Sequence, residues 1–330
     1  MRCVVLGGGG FIGSNLAARL VADGHDVTAV DVDFPTWRTP PCTTRVADLT
    51  DPTTAISAVA GFEWVFHLAA DMGGVGYFHS NADLGAAMLN GRITLNVLAA
   101  IRPGQRLFYS SSACCYPIEM QMGTHAPKLS EDWIGFGTPD ALYGAEKLHG
   151  LRLCSKVTDA RVGVFHTIYG PLQEHDGRRM KFPAAVAQKA RQARQTGTLE
   201  LWGDGRQKRS YLYVDDAVDR IVQVMESDRY DGPVNVGASG AVTCLEVARM
   251  ALEIAGVPDA EITTNPAEPS GVTARDCDNT KFNRTYGATP ETSVRDGIAG
   301  FVGWLDSIDP PTTATRTPPR NAMMPKPERR

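Results

Sequence analysis

The chain has 330 residues, 43% hydrophobic and 21% charged, with a formal net charge of -4. That is enough to bury one large α/β domain or two associated ones, and it gives no electrostatic reason to bind nucleic acid or an anionic membrane. No apolar run reaches the roughly 18 residues that a bilayer span needs, and M-R-C-V-V-L-G enters a strand and turn without a signal-peptide pattern, so a cytoplasmic protein is expected.

Residues 2–6, R-C-V-V-L, read as a buried strand, and G-G-G-G-F-I-G at 7–13 leads into a helical run ending near Gly24. Gly7, Gly10 and Gly13 fit G-x-x-G-x-x-G, while Gly8, Gly10 and Gly13 equally fit G-x-G-x-x-G. Either spacing makes a tight turn that brings backbone N–H groups to a pyrophosphate, with Phe11 and Ile12 opening the helix beside it. The next strand, H-D-V-T-A-V, ends at Asp31, 18 residues after Gly13. An acidic side chain there binds the adenosine ribose hydroxyls and repels a 2′-phosphate, which favours NAD over NADP. V-A-D-L at 46–49 sets Asp48 and Leu49 at the end of a third strand, where Asp48 is either a neighbour of adenine or an N-cap for the helix near Asp51 and Pro52. E-W-V-F-H-L-A-A at 63–70 reads as a fourth strand in which Ala69 and Ala70 let the backbone pass close to the dinucleotide, and His67 reads as structural. Helical patterns at 81–101 and 141–158, with the strand R-L-F-Y-S-S-S at 106–112 between them, complete an alternating order. That order implies an α/β fold with a Rossmann-type, doubly wound parallel sheet.

A-L-Y-G-A-E-K-L-H at 141–149 sets Tyr143 and Lys147 four apart, on one helix face. An ammonium there favours phenolate and lowers the tyrosine's pKa, so that it can take a proton from an alcohol near neutral pH. The plainer reading is an amphipathic helix with an exposed lysine, and the glycine turn upstream decides between them. A strand ending in Ser110, Ser111 and Ser112, followed by Y-x-x-x-K, resembles the short-chain dehydrogenase/reductase superfamily in its extended, nucleotide-sugar-modifying branch. The resemblance implies that Ser112, Tyr143 and Lys147 work together on a sugar hydroxyl beside the nicotinamide of NAD, with Lys147 also on the nicotinamide ribose.

Within that branch, several segments resemble the GDP-mannose 3,5-epimerases. They are A-A-D-M-G-G-V-G at 69–76, S-S-A-C-C-Y-P at 111–117, F-H-T-I-Y-G-P at 165–171, G-R-R-M-K-F-P-A-A at 177–185, W-G-D-G-R-Q-K-R-S at 202–210 and P-V-N-V-G at 233–237. The chemistry explains why two further groups matter. A ketone at C4 of a hexose makes the hydrogens on C3 and C5 acidic, so inversion needs one group to remove a proton from one face and another to return it from the opposite face, before the hydride is given back. The resemblance implies Cys114 and Lys181 as that pair, and a nearby lysine or arginine would raise the thiolate fraction of Cys114. Otherwise Cys114 would be a small buried residue beside a packing Cys115, and Lys181 part of a solvated basic run. For the substrate, a nucleotide-diphosphate hexose such as GDP-mannose, the resemblance implies Arg209 and Arg275, with Lys189 and Gln207, around the nucleotide diphosphate. It places Ser112, Ala113, Thr167, Met180 and Lys181 around the sugar, with room left by Gly73 and Gly74. Thr167 stands where the family has Asn, Met180 where it has Glu, and G-F-G-T-P-D replaces a tryptophan-containing stretch. Those departures leave open which hexose is taken and whether C3, C5 or both invert. A C5-only epimerase, a 4-epimerase, a 4,6-dehydratase and an inactive NAD-sensing regulator are the competing readings. A dehydratase commonly carries an Asp-Glu pair where Ala113 and Cys114 stand.

D-A-V-D-R-I-V-Q-V-M from Asp215 reads as a helix, and V-N-V-G as a short strand that returns to the main sheet. T-C-L-E at 243–246 is a capping-box pattern for a helix ending near Gly256. Residues 1–166, with returns near 213–240, are therefore expected to form the NAD domain, and 167–308 mainly the substrate domain. Residues 309–330 hold six prolines and read as a disordered tail. The seven cysteines, at 3, 42, 114, 115, 154, 244 and 277, have no metal-ligand spacing, so no metal is expected. The segments 81–101 and 141–158 match those that pair subunits in the extended family, which implies a homodimer filled by Leu84, Leu95, Leu151 and Leu153.

Overall fold

The structure, a computed structural model, describes residues 1–74, 77, 83–123, 126–157, 159–177 and 179–309. The expected tail beyond Asp309, and Val75, Gly76 and Arg178 of the quoted motifs, lie outside the described residues.

The first half alternates strand and helix as expected. In order come β1 (Arg2–Leu6), α1 (Phe11–Ala22), β2 (Asp26–Asp31), β3 (Thr43–Val46), α2 (Pro52–Val59), β4 (Trp64–His67), α3 (Asp83–Ala100) and β5 (Arg106–Ser112). After β6 (Lys128–Leu129) come α4 (Ala141–Cys154), β7 (Ala160–Phe165) and β8 (Thr167–Tyr169). Then follow α5 (Phe182–Thr196), β9 (Thr198–Trp202), β10 (Lys208–Arg209), β11 (Tyr211–Tyr213), α6 (Val214–Glu226), β12 (Val234–Val236) and β13 (Val242–Thr243). The chain closes with α7 (Cys244–Ile254), β14 (Glu261–Asn265), β15 (Ala274–Cys277), α8 (Thr280–Tyr286) and α9 (Val294–Ile308).

Among the described residues the main sheet is parallel, in the order β12-β7-β5-β4-β1-β2-β3. Strand order reverses between β1 and β4, which opens a crevice at their carboxyl ends. Both faces are covered, so β1 is apolar on both: Cys3 and Val5 pack under α1 and α6, while Val4 and Leu6 pack under α2, α3 and α4. A third cluster, built only from residues 169–305, joins α5, α7 and α9. A small sheet in the order β13-β10-β15-β6 carries Arg209 and Arg275 side by side.

Where local signals were strong, the elements match. Asp51, not Asp48, caps α2, its carboxylate accepting from Thr54 N at 2.7 Å. Thr243 and Glu246 form the expected capping box of α7, and β12 does return to the main sheet beside β7. The helix expected over 141–158 stops at Cys154, because Asp159 takes a left-handed φ of 56° to turn the chain into β7. Leu151 is not available to a subunit interface: it is 6% exposed and packed in the core. Leu84 and Leu95 stay open, at 59% and 52% exposed. No helix among the described residues is long and apolar enough to cross a membrane.

Candidate active site

The glycine turn sits at the crevice. Gly7, with φ of 86°, donates from its N–H to Val30 O at 2.8 Å, and a Cβ there would lie 2.6 Å from the backbone N of Ala69. The loops after β1 and β4 thus touch because Gly7 carries no side chain. A Cβ on Gly13 would run into the Gly7 carbonyl, whereas one on Gly10 meets only Gly7 O, at 3.1 Å, and otherwise opens outward. Such a turn, followed directly by the first turn of α1 with Phe11 and Ile12, fits a dinucleotide's pyrophosphate. The Asp31 carboxylate accepts from Gly9 N at 2.9 Å and from Val32 N at 2.7 Å. Burial pushes its pKa up, and those N–H donors and Arg38 oppose the shift. Asp48 accepts from Thr50 N at 2.9 Å, which holds it below the usual carboxylate range, and Leu49 is buried with its carbonyl taken by Asn96. Arg38 was not singled out from the sequence. Its Nε donates to Gly9 O at 2.7 Å and its Nη1 lies 3.6 Å from Glu174, which ties the glycine turn to the loop after β8.

Tyr143 and Lys147 are both buried in α4, and Lys147 is 2% exposed, which excludes the amphipathic-helix reading. Lys147 Nζ lies 5.7 Å from the centre of the Tyr143 ring, 5.3 Å from that of Tyr109, and 3.7 Å from Glu146 Oε2. The expected lowering of the Tyr143 pKa is reversed. Burial carries the phenol well above its ordinary range, Cys114 and Glu146 add to this, and a hydrogen bond with Ser112 works the other way. Spacing on a helix reports proximity but not desolvation, and desolvation wins here. Burial also draws Lys147 down, with Glu146 opposing. His67 is structural as expected, its Nε2 3.3 Å from Thr94 Oγ1.

Cys114 stands in a 3₁₀ turn, Ala113–Cys115, immediately after Ser112, whose hydroxyl accepts from Cys114 N at 3.2 Å. Its Cβ would be 3.2 Å from a Cβ on Gly144, so a glycine one residue after Tyr143 lets the thiol's loop lie against α4. Cys115 is buried, as expected of a packing residue, and burial pushes its thiol up to about 12. Lys181 comes from the other half of the chain, at the N-cap of α5. Burial draws its pKa down, and the charge of the Cys114 sulfur opposes that.

The remaining residues divide. Arg209 and Arg275 are paired neighbours of β10 and β15 on one face. Burial and then Arg275 draw the Arg209 pKa down, a cost that a bound anion would relieve. Each nitrogen of Arg275 donates to a protein acceptor, Nε to Gln121, Nη1 to Cys114 and Nη2 to Asp140, which leaves the second N–H of Nη1 and of Nη2. Lys189 donates to Glu200 O at 2.8 Å, and Gln207 is buried with its Oε1 unbonded. Thr167 and Met180 are half-buried. A Cβ on Gly73 would lie 2.6 Å from Tyr77 Cβ, and one on Gly74 would run into the Met180 carbonyl, so both positions need a glycine. An Arg179–Asp71 ion pair closes the same contact.

Residues 3–237 match the model of the NAD dependent epimerase/dehydratase family. The chain is 35% identical over 322 residues to GDP-mannose 3,5-epimerase 1 of Oryza sativa subsp. japonica, covering 92% of this chain and 82% of that protein. It is 28% identical to UDP-glucuronic acid decarboxylase 4 of Arabidopsis thaliana, over 90% of this chain and 67% of the other. In fold it is similar to the UDP-glucose 4-epimerase of Thermotoga maritima, with a TM-score of 0.82 at 23% identity, over 93% of this chain and 99% of that one. The chain belongs to the NAD dependent epimerase/dehydratase family, and it is an NAD-dependent enzyme of isomerase class, similar in sequence to GDP-mannose 3,5-epimerases.

Proposed function

We propose that the protein inverts C3, C5 or both of GDP-mannose through a transient 4-ketone, without net oxidation. The observation that supports this is that Cys114, whose loop packs against the helix of Tyr143, acts electrostatically on the buried Lys181 from a distant part of the chain. NAD, which the glycine turn, Asp31 and Lys147 would hold, would supply the reversible acceptor for the C4 hydride. Tyr143, hydrogen-bonded with Ser112, exchanges the proton of the C4 hydroxyl. Cys114 and Lys181 then exchange protons on opposite faces of a neighbouring carbon. Lys181 suits this because burial brings its neutral amine closer to the working pH. Arg209, with Lys189 and Gln207, is the proposed nucleotide-diphosphate contact. In domain terms, 1–166 with the returns near 213–240 form the cofactor body, and 167–308 mainly the substrate body. This division is supported by the separate third core cluster.

With GDP-mannose in D2O, the wild-type protein is expected to place deuterium on C3 or C5 while its NAD ends each cycle oxidised. No exchange would leave the family assignment intact and reject GDP-mannose as substrate. Thr167 and Met180, which depart from the family pattern and are half-buried, would then be the positions to vary first.

The protein is also proposed to be a homodimer through α3 and α4, supported by Leu84, Met88 and Leu95 standing exposed on α3. Light scattering at micromolar concentration should give twice the chain mass, and a monomeric mass removes the claim.

A further inference from the structure

Asp140 occupies the N-cap position of α4, yet its side chain makes no cap bond to that helix. The helix is capped from elsewhere: Asp83 of α3 accepts from Leu142 N at 3.0 Å and from Tyr143 N at 3.1 Å. That leaves the Asp140 carboxylate free for Arg275 Nη2, which donates to it at 2.5 Å. The same guanidinium donates from Nε to Gln121 Oε1 at 2.6 Å and from Nη1 to Cys114 Sγ at 3.2 Å. Gln121 is fully buried and donates from Nε2 to the carbonyls of Tyr116 and Pro117, so its oxygen is the end turned to Arg275. Asp140 also donates from its backbone N to Cys114 O at 2.9 Å. One residue therefore holds both the loop that carries the thiol and the cation that faces it.

We propose that Asp140, with Gln121, is a positioning residue that fixes Arg275 against the Cys114 sulfur, so that a cation meets the thiol whenever it carries negative charge. A guanidinium is a rigid planar fork, so fixing Nε and Nη2 sets the direction of Nη1, which a lysine could not reproduce. The carboxylate also neutralises one of two guanidiniums standing side by side on β10 and β15. Burial works against the charge of Arg275, yet Cys114 and Asp140 together carry its pKa above the ordinary value. The inference rests on the reading of Cys114 as a proton-transfer group.

The test uses the NAD-loaded protein with GDP-mannose in D2O, following deuterium at C3 and C5, NADH formed in a single turnover, and KM. Asp140→Asn is expected to slow exchange ~10–100-fold, the scale of one charged hydrogen bond, with KM and the C4 oxidation unchanged. Arg275→Ala should lose exchange and regain part of it when guanidinium ion is added. The double variant Asp140→Asn/Arg275→Ala should not be rescued, because the free ion then lacks its charged acceptor. Wild-type exchange in Asp140→Asn, or equal rescue of single and double variants, overturns the proposal. Cys114→Ala is run alongside. If it exchanges normally, the reading of Cys114 fails and takes this one with it, whereas a dead Cys114→Ala beside an intact Asp140→Asn defeats the positioning role alone.

Discussion

Cys114→Ala is expected to lose deuterium exchange at C3 and C5 by ~10²–10⁴-fold, the usual contribution of a positioned acid or base, while still forming NADH on mixing with GDP-mannose. Oxidation at C4 needs Tyr143, Lys147 and the cofactor, all of which remain, and losing the sulfur removes one of the influences that raise the Tyr143 pKa. Arg275 keeps its contacts to Gln121 and Asp140, so the site should not collapse around the missing sulfur. Lys181 is affected indirectly: burial already draws its pKa down, and removing the sulfur that opposes this draws it further. Tyr143→Phe should instead abolish both NADH formation and exchange, because without the ketone the neighbouring hydrogens are not acidic. The two variants together separate an epimerase from a 4-epimerase, in which Cys114→Ala would keep full turnover. They also separate it from an NAD-sensing regulator, in which neither step would occur in the wild type. Full exchange in Cys114→Ala would remove the two-base reading.

What could be read from the sequence was what is local. The glycine turn, the alternation of strand and helix and the capping box at Thr243 and Glu246 each lie within a short window, and each matches the structure. Tyr143 shows the limit, since four-residue spacing correctly put it near Lys147 but carried no measure of the burial that sets its pKa. The helix over 182–196 was not read from the sequence, and Ala184, Ala187, Ala190 and Ala193 form part of its buried face. Small alanines gave little hydrophobic contrast. The frame around Arg275 had no sequence signal, because Gln121 and Asp140 lie 154 and 135 residues from it along the chain. The glycines at 73 and 74 have a further reason the sequence did not show, the close approach of Tyr77 and of the Met180 backbone.

Gly10→Ala and Gly13→Ala are expected to fail differently, and the difference tests whether the glycine turn is shaped by the protein or by the cofactor. A Cβ on Gly13 would overlap the Gly7 carbonyl oxygen and lie 2.8 Å from the Gly7 carbonyl carbon, both backbone atoms that β1 and the contact with Ala69 hold in place. The turn must open, so the apo protein should lose on the order of 1–3 kcal/mol of stability, as overpacked sites do, and NAD binding should fall with it. Gly10 has an ordinary extended backbone, φ -82° and ψ 172°, and a Cβ there meets protein only at Gly7 O, 3.1 Å away. A few tenths of an ångström of movement accommodates it, so the apo protein should unfold close to the wild-type urea midpoint. The added methyl nonetheless stands at the mouth of the turn, where backbone N–H groups approach a pyrophosphate. NAD affinity measured by calorimetry should therefore drop at least ~10-fold with no matching loss of stability, the equivalent of about 1.4 kcal/mol of binding. Wild-type NAD affinity in Gly10→Ala would show that the pyrophosphate does not pass over this residue, and would move the cofactor's contact to the Gly7–Gly9 side of the turn.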